Sequence, residues 1–102
     1  MSENIPEGLV KYFESKIFTE KTVPEKLLTL HDTKPGVWAR IVVLEGSLDY
    51  VVTGAPERNR RLDTGDVGII RPTEPHRVEL LGMVRFQVEF YRPNKTWEIA
   101  EQ

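Results

Sequence analysis

The clearest periodicity in the chain lies between Val84 and Tyr91. There Val84, Phe86, Val88 and Phe90 alternate with Arg85, Gln87, Glu89 and Tyr91. A period of two puts the first set on one face of a strand and the second on the other, so the pattern predicts a strand with its apolar face on a core. Shorter β-type runs precede it. Val37 to Glu45 is rich in β-branched residues and predicts the strongest strand. Gly46 breaks it, and Ser47 to Thr53 follows as its hairpin partner. Lys26 to His31, Val67 to Ile70 and His76 to Leu81 are further strand candidates, and Arg60 to Leu62 leads into a tight turn at Thr64-Gly65-Asp66. Lys34-Pro35-Gly36, Gly54-Ala55-Pro56 and Gly82 carry other turn signals. Pro72 and Pro75 bracket a loop, since neither can donate to a ladder.

Ahead of these runs, Leu9, Tyr12, Phe13 and Ile17 have roughly helical spacing in a window too short to decide by periodicity. The favoured reading is an N-terminal arm that packs these side chains on the main body. Short strands with regular turn signals and no intervening helices predict a sandwich or barrel, not βαβ units. The expected layout is a single all-β domain over 1–102, with an arm at 1–22, a barrel at 23–92 and a tail at 93–102.

Composition narrows the function classes. A length of 102 residues suits one domain and not two. With 14 basic and 16 acidic residues the formal net charge is −2, which offers no field to hold a polyanion, so nucleic acid is not an expected partner. There is no cysteine, which excludes disulfides and thiolate metal sites. No apolar run approaches the roughly 20 residues that span a bilayer, and Met1 to Val10 lacks the pattern of a signal peptide. A soluble, cytoplasmic protein with no membrane partner is the expectation.

Gly65-Asp66, the apolar run after it, and Arg71-Pro72-Thr73-Glu74-Pro75-His76-Arg77-Val78 resemble the second conserved motif of cupins. The resemblance implies a cupin-like jelly-roll barrel (a double-stranded β-helix) with His76 at the start of a strand, pointing inward. In the first cupin motif Gly46 matches the closing glycine, but Ala39 stands at the glutamate position. The expected histidines would fall near Asp32 and Lys34. The usual three-histidine, one-glutamate metal site is therefore not present in standard form.

A closer resemblance rests on His31-Asp32-Thr33-Lys34-Pro35-Gly36-Val37-Trp38, running into Leu44-Glu45-Gly46-Ser47-Leu48, and on the later Pro72, His76-Arg77-Val78-Glu79 and Phe90-Tyr91. Their order and spacing are similar to those of the cupin-like domain of the tellurite-resistance TehB family and the related YeaR-like proteins. The resemblance implies a role in tellurite or related oxyanion stress, with no known reaction for this domain alone. In some TehB proteins the domain precedes a methyltransferase domain. No glycine-rich loop between a strand and a helix occurs here, so that activity is not carried over, and a separate methyltransferase becomes a candidate partner.

His31 and His76 are the only histidines and both lie in motif-like segments. Imidazole is a good ligand for divalent transition metals such as zinc, iron or nickel. Two histidines leave such a site incomplete, and Glu89 or Asp32 would have to finish it. Alternation places Glu89 on the outward face. Lys34, Arg40 and Arg71 are cationic candidates for an oxyanion or carboxylate near the same opening. The alternative for each is a solvated face or a backbone-bonded histidine. Arg58-Asn59-Arg60-Arg61 reads as a solvated loop, and Trp38 and Trp97 as core or interface aromatics.

The leading expectation is a binding module that holds a metal ion or a small anionic ligand through His31 and His76, helped by Lys34, Arg40 and Glu89. A metal-dependent enzyme is the second reading, against which the lack of a complete catalytic constellation counts. A closed-barrel interaction domain is the third. Exposed strand edges make a homodimer a further expectation.

Overall fold

A computed structural model describes residues 5–53 and 57–93 of the chain. Two long strands dominate it, β3 (Trp38–Val52) and β6 (His76–Pro93). They pair antiparallel over almost their whole length, from Trp38 opposite Tyr91 to Val52 opposite His76. The shorter elements are β1 (Leu9–Glu14), β2 (Phe18–Thr19), a one-turn helix α1 (Glu25–Leu28), β4 (Arg58–Leu62) and β5 (Val67–Ile70). Beyond β6, the far edge of β3 pairs first with β5 and then with β4. The far edge of β6 pairs with β2 and β1.

Gly46 explains how one strand serves two partners. Ala39, Ile41 and Val43 are buried on odd positions, whereas Leu48, Tyr50 and Val52 are buried on even positions. Such a switch needs an irregularity, because a one-residue slip sends every side chain to the other face. Register shifts occur on both sides of Gly46, whose φ is 84°. Gly82, with φ 101°, lies across from this bend in β6. The strand break expected at Gly46 is therefore a bulge within one strand, and the predicted hairpin of 37–45 with 47–53 does not form. Gly82 likewise bends β6 without ending it.

The core runs between the two bent halves. Phe86 and Leu48 are fully buried, Ile41 and Val84 nearly so, and Leu62 packs in from β4. Val84, Phe86 and Val88 face this core, as their alternation predicts. The N-terminal segment does pack on the body, but as strands. Phe18 is buried against Phe86 with ring centroids 5.7 Å apart, and β1 adds an edge with exposed side chains from Val10 to Glu14. Three further expectations change. Lys26 to His31 is not a strand: Glu25–Leu28 is helical and only His31 makes a bridge. Arg58 to Arg61 lies within β4 and is not a loop, although its side chains are exposed. The turn at Asp63–Asp66 forms as read, with the Asp63 N–H donating to the Asp66 carboxylate at 2.8 Å. Trp97, the Gly54-Ala55-Pro56 signal and the predicted tail beyond Pro93 lie outside the described residues.

At Gly46 an added Cβ would overlap the Met83 carbonyl oxygen and approach Val84 Cα to 2.9 Å. Both obstacles are backbone, and the positive φ is itself unfavourable for an L side chain. Gly46→Ala is expected to destabilise the fold by about 2 kcal/mol or more, read as a lowered urea midpoint. Gly8→Ala, where nothing lies within 4 Å of the new Cβ, bears only the φ cost and should lose less.

Candidate functional site

The segment before β3 crosses the end of the bent sheet and is tied down by backbone. His31 and His76 exchange both backbone hydrogen bonds, at 3.0 and 2.8 Å. Two residues on, the Thr73 N–H donates to the Thr33 carbonyl at 3.0 Å, and Thr33 Oγ1 donates to the Arg71 carbonyl at 3.0 Å. Lys34-Pro35-Gly36 then turns the chain into β3, with the Val37 N–H donating to the Lys34 carbonyl at 3.0 Å. The loop between Pro72 and Pro75 contains Thr73 at φ 59°, a left-handed conformation that is rare for a β-branched residue and marks local strain.

These ties enclose a cavity of about 260 Å³. Its floor is apolar and includes Ile41, Ile70, Val78, Phe86, Val88 and Phe90. Its polar lining comes from His31, His76, Asp32, Thr33, Lys34 and Lys26. Lys26 and Lys34 are exposed, and neither makes an ion pair with a described residue.

The two imidazoles stand edge to face, with centroids 4.3 Å apart and an interplanar angle of 60°. Each is anchored by the same local device. His31 Nδ1 lies 2.9 Å from the Thr29 carbonyl oxygen and His76 Nδ1 lies 2.7 Å from that of Glu74. A carbonyl can only accept, so each Nδ1 carries the proton. His76 is 2% exposed. Burial pushes its pKa below the ordinary imidazole value; the Glu74 carbonyl pulls the other way, and His31 adds to the depression. His76 is therefore neutral near pH 7, and its Nε2 is an acceptor.

Of the residues expected at the site, His31, His76 and Lys34 come together around the cavity, as does Asp32. Arg40 and Glu89 do not. They are register partners on the opposite face of the β3–β6 pair, since Ala39 and Val88 beside them point inward. There Arg40 holds Glu89 Oε1 through Nε at 2.8 Å and Nη2 at 2.7 Å, Tyr91 donates its hydroxyl at 2.9 Å, and Lys11 stands 3.5 Å from Oε2. Burial raises the Glu89 pKa, but the Arg40, Tyr91 and Lys11 contacts outweigh it and the net shift is downward. Lys26, Leu27 and Tyr12 line the cavity without having been foreseen. Pro24-Glu25 is a helix-start signal that could have placed the first two.

Among the described residues, no group of three or more His, Asp or Glu side chains is arranged to hold a metal ion. The two histidines fall short of the three protein ligands usual in a catalytic zinc site. No helix among the described residues is long and apolar enough to cross a membrane.

An all-β sheet bent around an apolar cavity, with a histidine entering at the first residue of its last strand, defines a cupin-like domain. The chain belongs to the TehB-like family, whose model matches residues 13–88. Among solved structures it is similar to a protein from E. coli K12, with a TM-score of 0.82 and 20% identity over 91% of this chain and 99% of that one. TehB from Haemophilus influenzae is similar at a TM-score of 0.77 and 24% identity, over 85% of this chain and 32% of TehB, so the likeness spans about a third of that protein. The cupin domain of Schizosaccharomyces pombe Cnp3 is similar at a TM-score of 0.55 and 12% identity, over 98% of this chain and 74% of that one. No curated protein sequence matches the chain.

Two of the shifted groups, His76 and Glu89, predict two separate acid steps in stability. His76 has a lowered folded pKa, so the unfolded chain binds its proton first. Stability should fall as pH drops below the ordinary histidine value of about 6.5 and level off below the folded pKa. Glu89 also has a lowered folded pKa, but as an acid its contribution is present above the unfolded value of about 4.3 and is lost as pH falls through the folded one. Urea midpoints measured from pH 8 to 3 should show both steps. His76→Phe should flatten the upper step, and Glu89→Gln should reduce the lower one, to which the lowered carboxyls of Glu20 and Asp63 also contribute.

Proposed function

We propose that this domain is a binding module whose ligand is a small organic anion seated in the cavity at the mouth of the barrel. The observation that carries the reading is the cavity's division of labour. Its floor is apolar, and two lysines without ion pairs among the described residues stand at its edge. A volume of about 260 Å³ comfortably exceeds the roughly 150 Å³ that suffices for benzene in an apolar cavity. An apolar body gains from the floor, and a carboxylate gains from Lys26 and Lys34 against the single opposing charge of Asp32. Tellurite or another bare oxyanion, which the TehB resemblance brings forward, would use the lysines and leave the floor uncovered. On that ground the organic anion is the better fit.

A metal ion on His31 and His76 is the second reading. It is favoured by the two Nε2 lone pairs that the Nδ1 anchors leave on facing rings, and it lacks a third protein donor among the described residues. Near-stoichiometric metal in tag-free protein, lost in His31→Ala and His76→Ala, would put this reading first.

Benzoate, benzamide and tellurite separate the possibilities by titration calorimetry and amide chemical shifts. Benzoate is expected to bind, with perturbations at residues 26–34 and 70–78. Benzamide should bind at least about tenfold more weakly, and Lys26→Ala/Lys34→Ala should erase the difference, in keeping with roughly 1–2 kcal/mol for a partly desolvated charge-assisted contact. Tellurite binding with no benzoate binding would overturn the organic-anion reading.

A further inference from the structure

The polar end of the cavity has a donor–acceptor sense that limits its ligand further. Both Nδ1 atoms are committed as donors to carbonyls two residues earlier in the chain. His76 is neutral, so its Nε2, on the other side of the ring, is a lone-pair acceptor. The two rings stand edge to face with centroids 4.3 Å apart, and no hydrogen bond joins them. No hydrogen bond among the described residues engages either Nε2. The rings reach the cavity from positions fixed by two reciprocal backbone bonds, so neither can turn its Nδ1 inward without breaking an anchor. An acceptor on a cavity wall discriminates for a ligand donor, since a ligand that displaces water without supplying one leaves the acceptor desolvated and unpaired.

We infer that the cavity takes a hydroxylated organic acid: a compact apolar body, a carboxylate answered by Lys26 and Lys34, and a hydroxyl that donates to Nε2 of His76. An ammonium group would also satisfy the imidazoles as a donor, but the two lysines oppose a cation there. A hydroxyl supplies the donor without the charge. The inference rests on the reading of the cavity as a small-anion site and adds the requirement for a donor.

The test compares benzoate with 2-, 3- and 4-hydroxybenzoate by titration calorimetry on the intact chain. At least one hydroxybenzoate is expected to bind about tenfold or more tightly than benzoate. His76→Phe, which keeps a planar ring, should abolish that preference. Imidazole nitrogen spectra of the unsubstituted protein supply a readout that does not depend on any variant folding. Both histidines should be Nδ1-protonated, and an Nε2 resonance should shift with the preferred hydroxybenzoate but not with benzoate. Equal affinity for benzoate and all three hydroxybenzoates, with unmoved Nε2 resonances, overturns the donor requirement and leaves the small-anion reading standing. No binding by any of the four overturns both.

Discussion

The antiparallel pairing of β3 with β6 is the interaction on which the rest of the structure depends. It runs from Trp38 opposite Tyr91 to Val52 opposite His76, and every other strand among the described residues is an addition to one of its two outer edges. A flat pair of this length would expose one apolar face to water. The bend at Gly46 prevents that by shifting the inward parity of β3 so that both halves of the strand face the same interior. The cavity is a consequence of that geometry. The bent pair closes around Phe86 and Leu48, and the end bounded by Val52 and His76 is left for the segment around His31 to cover. The His31–His76 bridge is the fastening of that cover, so the two imidazoles meet because the backbone needs a tie there.

Much of this was legible in the sequence, for a physical reason. Burial on one face of a strand leaves a period-two record, and Val84, Phe86 and Val88 carry it cleanly. Turn glycines with positive φ at positions 36, 46, 65 and 82 were all recognisable as punctuation. What punctuation cannot convey is whether a glycine ends a strand or bends it. The difference at Gly46 and Gly82 is set by partner strands far away in the chain. The N-terminal segment was hard for a related reason. An edge strand with exposed side chains has no buried face to impose alternation, so Leu9 to Glu14 carries no period for a reader to find. In α1, Lys26 and Leu27 lie in a single helical turn, too short to repeat.

The site was legible to the extent that it depends on the cupin-like motif. His76 and His31 were placed by resemblance, and Lys34 by its neighbourhood. Arg40 drew attention as a cation within an apolar strand, yet the same alternation that buries Ala39 and Ile41 turns it to the other face. There it meets Glu89, its register partner. The pair illustrates how two residues can look functional separately and be explained by one another once the register is known. The Arg40–Glu89–Tyr91 cluster is half-shielded and satisfied by its own members, which leaves it little to offer a ligand.

His76 is the converse case. A residue 2% exposed beside Tyr50 and the valines of an apolar core could have been a leucine at lower cost, because burial disfavours its charged form and obliges its nitrogens to find partners. Only one nitrogen finds a partner within the described protein, the Nδ1 on the Glu74 carbonyl. The other opens on a cavity beside a second imidazole anchored in the same sense. A structural histidine needs one good hydrogen bond and a snug apolar neighbourhood. It does not need a matched neighbour, a strained Thr73 loop tied to the covering segment, and two lysines without ion pairs among the described residues at the edge. The fold's own requirements account for the backbone bridge. The Nε2 of His76, which no described residue engages, is what the proposed ligand hydroxyl would pair.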